Sequence, residues 1–108
     1  MTDTIILSDI LPEIVKRILA VSDPRKIILF GSYARGDFDP NSDLDLLVIE
    51  DQVDSINNET KRIYDILSEM DVPVDVIVAS SSYVKRYGNI IGSVVRPALR
   101  EGKVIYAR

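Results

Sequence analysis

The chain contains neither cysteine nor histidine among its 108 residues. Without cysteine it has no disulfide framework, no thiolate metal site and no cysteine nucleophile. Without histidine, Ser-His-Asp catalysis and histidine-ligated zinc are excluded as well. Any bound metal ion must therefore be held by oxygen ligands, which favours magnesium, calcium or manganese.

The sequence also lacks long apolar runs and an excess of basic residues. No stretch of about 18 apolar residues exists, so we expect no membrane span and no membrane partner. The first residues, MTDTIILSDILPEIVKR, lack the basic start and cleavage site of a secretory signal, which predicts a cytoplasmic protein. The net charge of −4 argues against direct binding of nucleic acid through a broad basic surface.

The length and the apolar fraction of 46% are typical of one globular domain, which we expect to span residues 1–108. Helical spacing of apolar residues follows Ser8, a candidate N-cap, with Pro12 in the first turn. Further helices are predicted at 55–70, from the serines at 80–82 to Gly88, and at 89–101 with a break or kink near Pro97. Strands are predicted at 26–30, 43–50, 73–79 and 103–106. This order indicates an α/β (α+β) domain with a small mixed sheet flanked by helices, in which strand 43–50 is central.

Acidic residues are concentrated in one part of the chain. From Asp37 to Asp54 there are seven of them and no lysine or arginine. Asp43 and Asp45 stand two apart at the start of a strand, so their side chains share a face with Cα atoms about 6.6 Å apart. Asp75 is the only acidic residue of the third strand, where a buried charge needs a partner. We therefore expect Asp43, Asp45 and Asp75 to converge on a divalent metal ion.

The segment FGSYARG, residues 30–36, leaves the first strand and enters a short turn or helix. Gly31 allows a phosphate to approach the backbone, and the Ser32 hydroxyl and the following N–H groups are hydrogen-bond donors. Arg35 lies about one helical turn later, and Ser42 adds a donor beside the acidic pair. A phosphate cradle opposite carboxylate-bound metal is the arrangement that phosphoryl-type transfer needs.

The spacing of Gly31-Ser32, ten residues and then Asp43-Leu44-Asp45, with Asp75 on a later strand, resembles the polymerase-β-like nucleotidyltransferases. GSYARG and SDLDLLV resemble in particular the minimal MNT group, which is encoded beside HEPN-domain proteins in prokaryotic toxin–antitoxin pairs. The resemblance covers the whole chain and implies the polymerase-β-like fold. It implies that Gly31 and Ser32 contact the donor triphosphate, and that Asp43 and Asp45 bind two magnesium ions, with manganese as the other candidate. Asp75 then completes one metal site and accepts the proton of the incoming hydroxyl.

The function that this resemblance implies is that of an antitoxin with enzymatic activity. It transfers AMP from ATP to a hydroxyl, expected to be that of tyrosine, on a HEPN toxin with which it forms a hetero-oligomer. Two alternatives stay open: an antitoxin that neutralises its partner by contact alone, and transfer to a small-molecule hydroxyl. The short chain offers little room for a small-molecule substrate domain.

Simpler interpretations accompany several of these residues. Asp75 is alternatively an edge-strand residue facing water, and Arg35 a surface ion-pair partner. The aspartates expected to be merely solvated turn residues are Asp37, Asp39, Asp51 and Asp54. Tyr83 and Tyr87 are expected to be packing residues.

An EF-hand calcium loop is the alternative interpretation of the acidic segment. The ligand positions 1, 3, 5, 7 and 12 would be Asp39, Asn41, Asp43, Asp45 and Glu50. Leu44, however, occupies the sixth position, where that loop requires glycine. The strand-like pattern of LDLLVIE also disfavours it.

Overall fold

The structure is a computed structural model that describes residues 7–37 and 41–108. Its helices are α1 (Leu7–Val21), α2 (Ser32–Arg35), α3 (Ile56–Leu67), α4 (Ser81–Tyr87) and α5 (Arg96–Glu101). Its strands are β1 (Lys26–Phe30), β2 (Leu44–Glu50), β3 (Val74–Ser80) and β4 (Lys103–Ala107).

The four strands form one mixed sheet in the order β3-β2-β1-β4. β1 pairs antiparallel with both β2 and β4, whereas β2 and β3 are parallel. The parallel pair is joined through α3, as a crossover between parallel strands requires. The predicted mixed sheet and the central position of strand 43–50 are thereby confirmed.

Side chains of β2 alternate between two apolar cores. Leu46 and Val48 pack on the side that carries Ile14 of α1 and Ile63 of α3. Leu47 and its neighbour two residues on, Ile49, belong to a second core that includes Ala98 of α5 and Val84 of α4. Helices therefore cover both faces of β2, which explains why both its odd and its even positions are apolar.

Several predicted boundaries are wrong. Ser8 lies inside α1, which already includes Leu7, so it is not the N-cap. Residues 89–95 form turns and bends rather than helix, and Pro97 occupies the first turn of α5 instead of kinking a longer helix. A proline in a first turn loses no helical hydrogen bond, since that N–H has no partner within the helix. The predicted serine cap is confirmed: Ser80 Oγ accepts from the backbone N–H of Tyr83.

Within residues 7–37 and 41–108, no helix combines the length and the apolar character needed to cross a bilayer.

Candidate active site

Asp45 and Asp75 are direct neighbours on the sheet. They are register partners on the parallel strands β2 and β3, one residue into each strand. Register partners on adjacent strands project from the same face, with backbones about 4.8 Å apart. The face is that of Leu47 and Ile77, which belong to the core beneath α4 and α5. The fold thus brings two aspartates from distant sequence positions together at the N-terminal ends of two neighbouring strands.

Asp43 lies immediately before β2 and is exposed. Its charge reaches Asp45: burial, then Asp75, then Asp43 raise the pKa of the Asp45 carboxyl, and Arg35 opposes them. The carboxylate of Asp45 is therefore partly desolvated between two further negative charges. A bound cation would relieve this repulsion.

Gly31 lies next to Asp45, directly after the end of β1. It precedes α2 with φ of +76°, a conformation that favours glycine. A Cβ at this position would overlap Oδ2 of Asp45. Phe30, the residue before it, is the register partner of Asp45 on β1. The glycine therefore lets the end of β1 turn closely around the Asp45 carboxylate, a reason for glycine in addition to the predicted approach of a phosphate.

The other residues predicted to bind phosphate lie around this turn. Ser32 is half-buried at the first position of α2, and Ser42 is half-buried directly before Asp43. Arg35 Nε contacts Asp37 Oδ2 at 3.2 Å, and its Nη1 contacts Glu101 Oε2 at 3.4 Å. The alternative interpretation of Arg35, a surface ion pair, describes its contacts in this structure.

Tyr64 is a site residue that the sequence analysis missed. Its hydroxyl donates a 2.8 Å hydrogen bond to Oδ1 of Asp75 and accepts one of 2.8 Å from the N–H of Val76. Burial of the ring, more than the bond to Asp75, raises the pKa of the Tyr64 hydroxyl. Tyr64 thus fixes one carboxylate oxygen of Asp75 and leaves Oδ2 available. Helical spacing placed this residue in a helix but gave no signal for a contact with a strand that begins ten residues later.

The premise that Asp75 is a buried charge is wrong. β3 is an edge strand, and Asp75 is exposed near its N-terminal end. The alternative of an edge-strand residue facing water is therefore correct for its exposure. An exposed carboxylate beside a half-buried one remains accessible to a substrate.

The chemistry of the donor set suits a hard divalent cation, because Asp43, Asp45 and Asp75 offer only carboxylate oxygens and repel one another. Among the described residues, however, no three acidic side chains are already gathered closely enough to hold one ion together. Metal binding by all three would therefore require their side chains to move closer to one another.

The four aspartates that were predicted to be merely solvated turn residues differ in their contacts. Asp51 accepts from Ser81 Oγ and pairs with Arg25 and Arg108, and Asp37 pairs with Arg35. Asp54 is exposed, and Asp39 lies outside the described residues.

The calcium-loop alternative conflicts with the structure. Leu44–Glu50 is one continuous strand, and Glu50 is buried with 6% of its surface exposed. Tyr83 and Tyr87 pack against each other with ring centroids 4.7 Å apart, as predicted.

Comparison with protein families and known proteins identifies relatives of this chain. The family model described as "Nucleotidyltransferase domain" matches residues 8–102. A Methanocaldococcus jannaschii protein named "Putative protein adenylyltransferase MJ0604" is 37% identical over 76% of this chain and 78% of its own length. A second protein of that organism, "Putative protein adenylyltransferase MJ0141", is 37% identical over 56% of this chain. The match spans 60% of that second protein's length.

Solved structures share the fold. One is described as a toxin-antitoxin with AMP-PNP; it has a TM-score of 0.67 and 22% identity, and the match covers 91% of this chain and 73% of that one. Another is the tri-AMPylated Shewanella oneidensis HEPN toxin in complex with MNT antitoxin, with a TM-score of 0.65, 20% identity and coverage of 95% and 74%. The family match over residues 8–102 and the 37% identity to the MJ0604 protein establish that the chain belongs to the nucleotidyltransferase domain family.

Proposed function

We propose that this chain is a magnesium-dependent protein adenylyltransferase. It transfers AMP from ATP to a tyrosine hydroxyl of a HEPN-domain toxin in the cytoplasm and thereby acts as its antitoxin. Residues 1–108 would form a single nucleotidyltransferase domain. The observation that carries the proposal is the pairing of Asp45 with Asp75 across β2 and β3, beside the glycine turn at Gly31.

The acceptor oxygen would attack the α-phosphorus of ATP, and the bond from that phosphorus to the oxygen bridging to the β-phosphorus would break. Pyrophosphate leaves, and the acceptor's proton goes to a carboxylate. Asp75 suits this role because it is exposed, lies beside Asp45 and has one oxygen occupied by Tyr64. A hydrogen bond to one carboxylate oxygen holds the other in a fixed direction, which favours proton transfer.

Gly31 and Ser32 would bind the donor triphosphate together with Ser42, and Arg35 would exchange a carboxylate partner for a phosphate. Exchange is feasible because both of its ion pairs lie at the surface, where such pairs contribute little stability. Asp43, Asp45 and Asp75 would hold magnesium or manganese, which neutralises charge on the phosphates when bound. Two ions are proposed, as the resemblance implies.

Support for the partner comes from the relatives. Two relatives are named as protein adenylyltransferases, and one structure of the same fold is of an AMPylated HEPN toxin bound to its MNT antitoxin. Another of the same fold contains AMP-PNP, an ATP analogue. A protein hydroxyl is therefore the acceptor that we favour over a small-molecule hydroxyl.

The test is transfer of label from [α-³²P]ATP, with magnesium, to the proposed partner, a HEPN-domain protein sought as the product of an adjacent gene. Label should appear on that protein, and [γ-³²P]ATP should give none, because the β- and γ-phosphates leave together. Peptide mapping then identifies the acceptor, and replacing each tyrosine of the labelled peptide by phenylalanine should abolish labelling at one of them. Asp71→Asn, an exposed aspartate after α3, serves as the matched control for Asp45→Asn.

A non-catalytic antitoxin would give a different result. It would bind the partner with unchanged affinity in wild-type and Asp45→Asn forms and transfer no label from either. That outcome would refute the catalytic proposal. Label on an added aminoglycoside-type hydroxyl compound, with none on the protein, would instead identify a small-molecule transferase.

A further inference from the structure

Three apolar side chains are exposed in the turn between α4 and α5. Ile91 is 82% exposed, Val94 58% and Ile90 50%. Val94 also lines a neighbouring groove of about 280 Å³, whose lining includes Ile56 and Tyr83. Adjacent exposed apolar groups of this kind typically mark an interaction surface. We call these residues with their groove the α4–α5 surface.

The charge around this surface is opposite to that of the rest of the chain. Residues 81–101, which comprise α4, the turn and α5, contain four lysines and arginines and one glutamate, a net charge of +3. Residues 1–80 contain seven basic and sixteen acidic residues, a net charge of −9. An acidic partner would thus be attracted to the α4–α5 surface and repelled by most of the remaining protein.

The arginines of this region are also available. Arg86 and Arg100 are exposed, and neither has a carboxylate partner among residues 7–37 and 41–108. Arginines elsewhere, such as Arg17, Arg25 and Arg62, are each paired with a carboxylate. Arg86 lies over the face of Tyr87, with 5.5 Å between its Cζ atom and the ring centroid.

The groove lies on the catalytic face of the sheet. Ile77 and Ala79 line it, and both share a face of β3 with Asp75. Asp75 and Ala79 are four residues apart, which corresponds to about 13 Å along a strand. At its other end, α5 reaches the site directly, because Glu101 contacts Arg35. A protein docked on this surface would therefore place its nearest residues within reach of the aspartates.

We propose that the α4–α5 surface docks the acceptor protein. Its occupant is a folded protein with an apolar side chain that enters the groove and acidic residues that meet Arg86 and Arg100. The assignment rests on the proposed function for the identity of the acceptor, whereas the surface itself follows from exposure, charge and position.

The test measures binding of the proposed HEPN-domain partner by isothermal titration calorimetry without ATP. Ile91→Asp should raise the dissociation constant at least about tenfold, the effect of losing one well-packed interface side chain. Val104→Asp is the matched control, because Val104 is 55% exposed on the opposite edge strand, β4. Neither change should unfold the protein, since both side chains are already largely in water.

Charge is tested separately. Arg86→Glu with Arg100→Glu should weaken binding at low salt, and the difference from wild type should shrink as salt rises. Lys16→Glu with Lys61→Glu is the matched control on exposed positions of α1 and α3. Unchanged affinity in both the Ile91 and the double-arginine variants would overturn the docking surface, even if label transfer by wild type upholds the enzymatic function.

Other occupants give recognisable results. Binding of a labelled single-stranded RNA that is lost in the double-arginine variant, with the protein partner unaffected, would assign the surface to nucleic acid and overturn the proposal. Self-association of the chain that Ile91→Asp abolishes in sedimentation would assign it to a second copy. Absence of any complex with wild type would refute both this inference and the partner in the proposed function; a complex without label transfer would refute the enzymatic function alone.

Discussion

Tyr64 on α3 and Asp75 on β3 are joined by a 2.8 Å hydrogen bond from the phenol to Oδ1 of the carboxylate. The same phenol oxygen accepts from the N–H of Val76. One tyrosine therefore fixes both the direction of the Asp75 side chain and the backbone beside it. Because Tyr64 acts through Asp75, we regard it as a positioning residue.

Tyr64→Phe should lower kcat for AMP transfer about tenfold while leaving KM for ATP unchanged, because a bond to a charged group contributes roughly 1.5–3 kcal/mol. It should also cost roughly 1 kcal/mol of unfolding free energy through the N–H of Val76. Steady-state kinetics well below the melting temperature separate the two effects. Tyr106→Phe on β4 is the control, and an equal loss of kcat there would show that the tyrosine effect is merely structural.

Asp45→Asn should abolish transfer and leave the metal-free protein equally or more stable. The pKa of the Asp45 carboxyl is raised in the folded state, so ionised Asp45 disfavours folding at neutral pH. The neutral amide of asparagine removes that cost. Magnesium should raise the unfolding free energy of wild type through linkage, by about 2.7 kcal/mol at a hundredfold excess over the dissociation constant, and its melting temperature should rise accordingly. Magnesium should have little effect on the variant.

Thermal unfolding with magnesium and with EDTA measures both effects. Asp71→Asn should behave as wild type. Loss of stability in metal-free Asp45→Asn would mean that the carboxylate makes a stabilising contact that outweighs its repulsion. Equal magnesium stabilisation of wild type and variant would place the ion elsewhere.

Gly31→Ala should impair both folding and activity. The new methyl group would overlap Oδ2 of Asp45 and would occupy a backbone conformation with φ of +76° that disfavours alanine. We expect a loss of about 1–3 kcal/mol in denaturant unfolding, together with at least a tenfold fall in transfer. Gly92→Ala is the control, because Gly92 also has positive φ but no atom within 4 Å of an added Cβ. Equal losses of unfolding free energy in the two variants would mean that the overlap with Asp45 adds nothing to the backbone strain at Gly31.

The strands were predictable because apolar runs identify them whichever way they pair. The composition of β2, apolar at both odd and even positions, also identified its central place. The exposure of Asp75 was not predictable, because the apolar pattern of VDVIVA is typical of a buried strand. Only the order of the strands in the sheet shows that β3 is an edge strand.

Contacts between separate elements were also beyond the sequence. Nothing in the helical spacing of α3 indicates that Tyr64 reaches Asp75. The predicted helix at 89–101 is wrong over residues 89–95, where Gly92 has φ of +92° and Ile90 and Ile91 are exposed. The proximity of Asp45 and Asp75 was predictable in two steps. The spacing of Asp43 and Asp45 placed both on one face of a strand, and the resemblance to nucleotidyltransferases placed Asp75 beside them.

Glu50 and Glu59 form a buried acidic pair at the far end of β2 from the site. They are 6% and 8% exposed, and Oε2 of Glu50 is buried without a hydrogen-bond partner. Burial, then the hydrogen bond and charge of Glu59, raise the pKa of Glu50 to about 8. Arg62 contacts Glu59 at 3.2 Å and opposes the rise, and Asp23 adds to it. Glu50 is thus the protonated member at neutral pH and donates to Glu59.

Stability should therefore fall as pH rises through this pKa. The folded pKa lies above the unfolded one, so the contribution is complete below about pH 4.5 and is lost progressively up to about pH 8, with a slope of at most about 1.4 kcal/mol per pH unit. Glu50→Gln should flatten the fall in urea unfolding between pH 5 and pH 9, because an amide donates the same bond without titrating. Glu69→Gln, whose parent side chain is 82% exposed, should keep the wild-type slope. A wild-type slope in Glu50→Gln would mean that Glu50 is ionised throughout this range and that Arg62 dominates the pair.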